Sequence, residues 1–97
     1  MAEIAWTEEA LAWLRSIHDY IAEVNPAAAM RVAEGIYERV DQLRDHPESG
    51  YRYEQSNRHV RILLYGHYRI AYEIDAERDV TILGDFHAAL AIARYAL

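Results

Sequence analysis

The sequence predicts an α+β domain of order β-α-α-β-β-β. A helical hairpin packs on one face of an antiparallel sheet, and a short C-terminal helix follows. Two helix-period stretches separated only by Asn25-Pro26 predict the hairpin. Three closely spaced alternating stretches at about 58–64, 68–74 and 80–86 predict an antiparallel meander. The length of 97 residues leaves room for one domain, 1–97, and 53% apolar content is enough to bury a core.

Ile4-Ala5-Trp6 alternates and reads as a first strand. Thr7 can cap the helix behind it, and Glu8 and Glu9 suit the positive end of that helix. Leu11, Leu14, His18 and Ile21, widened by Trp13, Ile17 and Tyr20, form the buried stripe of helix one, about 8–24. Asn25 and Pro26 then supply an N-cap and a first helical residue. Helix two runs from Pro26 to about Asp45 on the stripe Ala29, Val32, Ala33, Ile36, Val40 and Leu43. The turn is so short that the helices must be antiparallel neighbours. Gly35 costs about 1 kcal/mol of helix propensity, which a close helix–helix or helix–sheet contact would explain, and a neutral accident almost as readily. His46-Pro47-Glu48-Ser49-Gly50 ends helix two, and Tyr51-Arg52-Tyr53-Glu54 suggests a short edge strand. Ala88 to Leu97 reads as the C-terminal helix.

Composition excludes several functions. With no cysteine there are no disulfides and no thiolate metal sites. No histidine spacing resembles a metal motif, so neither metal nor other cofactor is expected. No stretch of eighteen apolar residues spans a membrane, and the acidic start lacks a signal-peptide core, which places the chain in the cytoplasm. A net charge of −6 argues against general or sequence-specific DNA binding. That charge is uneven. Residues 1–50 hold ten acids and four arginines, whereas 51–97 hold six of each, so the whole excess is N-terminal. Arg52, Arg58, Arg61 and Arg69 stand against Glu54 alone in 52–69, a local basic patch.

Strand phasing decides which of these arginines are open. Taking Val60, Ile62 and Leu64 with Tyr68, Ile70, Tyr72 and Ile74 as the helix-covered set requires a three-residue loop, Tyr65-Gly66-His67. Val80 and Ile82 join that face. The other face then carries Arg61, Leu63, Arg69, Ala71, Glu73, Thr81, Leu83, Asp85 and His87, with Arg69 directly across from Asp85. Two arginines, a carboxylate and an imidazole there form either a contact surface or an ordinary solvated face with a weak cross-strand ion pair. Tyr51, Tyr53, Tyr65 and Tyr95 are not needed by the helix stripes and either anchor a protein interface or merely edge the core.

The chain resembles the RelE/ParE superfamily of type II toxin–antitoxin toxins, closest to the ParE branch. The resemblance is collinear over about 3–87. It rests on Ile4-Ala5-Trp6-Thr7-Glu8-Glu9-Ala10, Tyr20-Ile21-Ala22 with Asn25-Pro26-Ala27-Ala28-Ala29, and His46-Pro47-Glu48-Ser49-Gly50. Arg58-His59-Val60-Arg61, Gly66-His67-Tyr68-Arg69-Ile70-Ala71-Tyr72 and Val80-Thr81-Ile82-Leu83 with Phe86-His87 complete it. It implies a cognate antitoxin, of a small ribbon-helix-helix type, wrapping a tail around the toxin. ParE-like members inhibit DNA gyrase by binding it. RelE-like members cut mRNA on the ribosome with arginines on the open sheet face and a tyrosine or histidine near the C-terminus. A relative acting only as a binding partner is a third possibility.

Two departures bear on that choice. Gly84 stands where the family often has an arginine, and Ala88-Ala89-Leu90 follows His87 where a glycine and a basic residue are common. A nuclease would use His87 as acid or base, Arg61 and Arg69 as phosphate clamps and Tyr95 as an auxiliary. Asp85 beside Arg69 would weaken that clamp. A partner-binding surface would draw on Arg58, Arg61, Leu63, Arg69, Leu83, Asp85, His87 and Arg94, with no catalytic residue.

Overall fold

The structure, a computed structural model, describes residues 2–87. Its elements are β1 (Ile4–Trp6), α1 (Glu8–Ala22), α2 (Pro26–Asp41) with a 3-10 turn at Gln42–Arg44, β2 (Tyr51–Arg52), β3 (Val60–Tyr65), β4 (Tyr68–Ile74) and β5 (Val80–His87). The expected C-terminal helix falls on residues outside those described. The five strands form one sheet in the order β1-β5-β4-β3-β2. The meander and β2 are antiparallel, whereas β1 lies parallel to β5 because the helical hairpin intervenes as a crossover. The sheet is therefore mixed. Among the described residues no helix is long and apolar enough to cross a membrane.

The local signals act as the residues dictate. Thr7 accepts a hydrogen bond from Ala10 N through its hydroxyl, and the same hydroxyl donates to the Ile82 carbonyl, so the cap also ties α1 to β5. The Asn25 side chain accepts from Ala28 N at the start of α2. Ala10, Leu14, Ile36, Val40 and Leu43 meet Leu63, Ile70, Tyr72, Ile74, Val80 and Ile82 in the main core. Gly35 is explained: a Cβ there would overlap the Tyr65 ring and hydroxyl, so the missing side chain lets β3 approach α2.

The register of the meander differs from the expectation. Tyr65 pairs with Tyr68, so the β3–β4 connection is the two residues Gly66-His67, not three. Gly66 has φ +55°, as the first central position of a primed hairpin turn requires. The shorter turn moves β3 by one residue. Leu63, not Ile62 or Leu64, now shares the helix-covered face with Ile70, and Arg61 stands opposite Tyr72. Ile62-Leu63-Leu64 is apolar throughout, so hydrophobic pattern alone could not choose between the phases.

A second irregularity lies in β5. Ala71 pairs with Gly84 and Tyr72 with Ile82, so Leu83 is an extra, bulged residue. Beyond it the faces exchange. Asp85 pairs with Ile70 and Arg69 with Phe86; Arg69 is not across from Asp85. The reverse face of the sheet is itself apolar, since Ile62, Ala71 and Phe86 form a second cluster with Trp13, Tyr53 and Leu83.

Candidate functional site

The residues expected to share one open face are divided between two. Cross-strand partners lie on the same side of a sheet, and residues three apart on a strand lie on opposite sides. Arg61 opposes Tyr72, and Arg69 opposes Leu64 on β3 and Phe86 on β5, so the two arginines face opposite ways. His87 opposes Tyr68 and shares the side of Arg61. Tyr68 and Tyr72 are four residues apart on β4, which separates His87 from Arg61 by roughly 13 Å of strand.

Each of these side chains is engaged locally. Arg61 Nη1 donates to the Gly50 carbonyl at 2.6 Å and the Glu48 carbonyl at 3.2 Å. Its Nε lies 3.4 Å from His59 Nε2. Tyr72 is fully buried beside it; its hydroxyl donates to the Pro47 carbonyl at 2.7 Å and accepts from Gly50 N at 2.9 Å. Burial raises the Tyr72 pKa, against the lowering effect of the Gly50 hydrogen bond. Arg61 and Tyr72 thus brace the 47–50 loop, a role in which a guanidinium and a phenol satisfy carbonyls that the turn leaves unpaired. Glu48 pairs with Arg78 at 2.9 Å, which holds its carboxyl below the usual range and joins the same loop to the β4–β5 turn.

At the far end of the sheet, the His87 ring stacks on His67 at 6.2 Å and meets Tyr68 edge-on at 5.6 Å. Asp85, two residues before it, is fully buried, and neither carboxylate oxygen has a hydrogen-bond partner among the described residues. Loss of hydration pushes its pKa up to about 7. It is therefore a buried acid, not a surface carboxylate guarding an arginine.

The remaining partner-binding candidates scatter likewise. Leu63 is buried under the helices, Leu83 is half-buried at the bulge, and Arg58 is exposed with its Nε 3.8 Å from Glu73. Arg94 and Tyr95 lie outside the described residues. Gly84, where an arginine was the family expectation, has the Phe86 ring over it. A Cβ at Gly84 would stand 2.6 Å from that ring. Trp13 packs edge-on against Phe86 at 4.9 Å. This apolar set was missed in the sequence, although Gly84-x-Phe86 carries the signal: small then large at a two-residue step.

Asp75, Glu77 and Asp79 bring three carboxylates within 4.8 Å in the β4–β5 turn. The Asp75 carboxylate accepts from the backbone N–H of Glu77 and of Asp79, so it already serves as the cap of that turn.

Against known proteins, residues 4–89 match the family model of the ParE toxin of type II toxin–antitoxin systems, parDE. The chain belongs to the ParE toxin family. A relative, Toxin RelE2 of Caulobacter vibrioides, is 44% identical over 50 residues, covering 52% of this chain and 57% of the relative. The chain thus matches little more than half that relative's length. The ParE-type fold is shared with a solved chromosomal ParDE toxin–antitoxin system from P. aeruginosa. That structure has a TM-score of 0.76 at 22% identity, covering 90% of this chain and 96% of the other.

Proposed function

We propose that this ParE-family toxin acts in the cytoplasm by binding DNA gyrase, and that a cognate antitoxin of the ribbon-helix-helix type holds it inactive. The observation that carries this reading is the dispersal of Arg61, Arg69 and His87. Metal-free RNA cleavage needs an acid, a base and phosphate-binding cations around one phosphodiester. Here Arg61 is committed to loop carbonyls, while Arg69 and His87 face opposite sides of the sheet. A buried carboxyl, Asp85, lies between them in sequence and would oppose phosphate if ionised. Binding a protein target needs no such convergence. Exposed arginines on β2 and the following loop, Arg52 and Arg58, and the exposed Tyr51 are suited to it.

Induction in cells lacking the antitoxin separates the readings. Relaxed plasmid DNA and a DNA-damage response support gyrase binding. Rapid ribosome-dependent mRNA cleavage with intact supercoiling would instead support the RelE-like alternative, to which the likeness to Toxin RelE2 lends some weight. Neither response would mark a relative that serves only as a binding partner.

A further inference from the structure

The β3–β4 turn and the end of β5 bring together two histidines that are far apart in the chain. His67 is the second residue of the Gly66-His67 turn, and His87 closes β5 opposite Tyr68. Their ring centres lie 6.2 Å apart with the planes inclined at 26°, and the Tyr68 ring walls His87 edge-on at 5.6 Å. Two imidazoles on one metal ion, each with a nitrogen at about 2.0–2.1 Å from it, hold their ring centres roughly 5–6 Å apart. The spacing is therefore close to that of a shared ion. The rings are nearly parallel, so convergence on the ion requires a change of side-chain torsion. Both side chains are exposed, and exposed rotamers interconvert readily.

The strand that carries His87 also supplies a carboxyl. Asp85 and His87 are two residues apart beyond the bulge, so both project to the face of Ile70 and Tyr68, roughly 7 Å apart along the strand. Asp85 is fully buried, and neither of its oxygens has a hydrogen-bond partner among the described residues. A buried polar group without a partner is a place where a bound ion or water completes the structure. Arg69, paired across from Phe86, projects to the other face and adds no positive charge here. Two imidazoles and a carboxylate are a donor set for borderline divalent ions, with water filling the remaining positions. The acidic turn of Asp75, Glu77 and Asp79 offers oxygen alone, a set suited to harder ions, and Asp75 already caps its own turn.

We propose that His67, His87 and Asp85 form a binding site for a divalent transition-metal ion of the zinc type. The bound ion pins the tip of the β3–β4 hairpin to the end of β5. The site does not depend on which target the toxin engages.

The test uses the full chain without an affinity tag, stripped of metal, and Zn²⁺ alone as the probe. Titration calorimetry should find one ion per chain. His67→Ala, His87→Ala and Asp85→Asn should each weaken binding about tenfold or more, whereas Glu77→Gln should leave it unchanged. Of the five histidines, only His67 and His87 should show shifted ring resonances. Zn²⁺ should raise the melting temperature of the native chain and leave that of His67→Ala unmoved. His67 is exposed on a turn, so its replacement separates loss of the ligand from loss of the fold. Undiminished binding in any of the three ligand variants overturns the site. So does loss of binding in Glu77→Gln, a stoichiometry of one ion per two chains, or no binding at about 1 mM Zn²⁺.

Discussion

Arg61 and Tyr72 stand opposite one another on β3 and β4, and both bind the Pro47–Gly50 loop. The pair turns an arginine expected at a phosphate into a brace for the polypeptide. Tyr72→Phe removes one donor and one acceptor and strands the Pro47 carbonyl and Gly50 N–H. It should cost about 1–3 kcal/mol in urea unfolding. Gly50→Ala should be at least as damaging. A Cβ there would come within 2.6 Å of the Ile62 carbonyl oxygen and 2.9 Å of the Tyr72 ring. Overpacking of this kind costs about 1–3 kcal/mol, and the backbone on one side leaves little to relax.

The same geometry separates two arginines that a nuclease would use together. Arg61→Ala should lower stability by about 1–2 kcal/mol. It should reduce toxicity only as far as it reduces the folded population, measured by comparing growth arrest with soluble protein. Arg61→Lys should restore part of the stability, since an ammonium can still reach one carbonyl but lacks the planar fork. Loss of toxicity by Arg61→Ala at unchanged stability would show that the guanidinium has a direct role.

Asp85 should make the fold pH-dependent in a definite direction. Its folded pKa is raised from 3.8 to about 7, so the folded chain keeps a proton that the unfolded chain releases. Stability contributed by the protonated form is full below about pH 4 and is lost as pH rises through about 7. At about 1.4 kcal/mol per pH unit the loss amounts to roughly 4 kcal/mol, a large part of a small domain's stability. Asp85→Val should therefore gain on the native chain as pH rises, with the gap in unfolding free energy widening between about pH 4 and pH 8. A constant gap across that range would mean that Asp85 is not desolvated in solution.

Gly84→Arg tests whether the family's usual residue can simply be restored. Its Cβ would meet the Phe86 ring and lift Phe86 from Trp13. The variant should lose about 1–3 kcal/mol and shift the tryptophan emission, with no gain of RNA cleavage. Cleavage appearing in this variant would argue that the phosphate-binding face is intact apart from the missing arginine.

Much of this architecture is legible in the sequence because it is set by local chemistry. Thr7 and Asn25 cap their helices as the residue types demand, Pro26 opens α2, and Gly35 marks the close approach of Tyr65. The faces of the strands are less legible. Ile62-Leu63-Leu64 satisfies either phase, and the bulge at Leu83 inverts the second half of β5 without any glycine or proline at that residue. The expected site depended on that phase and so was divided when Gly66-His67 closed the hairpin with two residues. Asp85 illustrates the limit. A carboxylate in a strand reads as solvent-facing, and only the bulge places it under cover.

The most direct test is reconstitution with purified gyrase and, separately, with translating ribosomes. The folded chain should inhibit supercoiling, added antitoxin should relieve the inhibition, and mRNA on the ribosome should remain whole. Unimpaired supercoiling together with mRNA cleavage that Arg69→Ala or His87→Ala abolishes would contradict it.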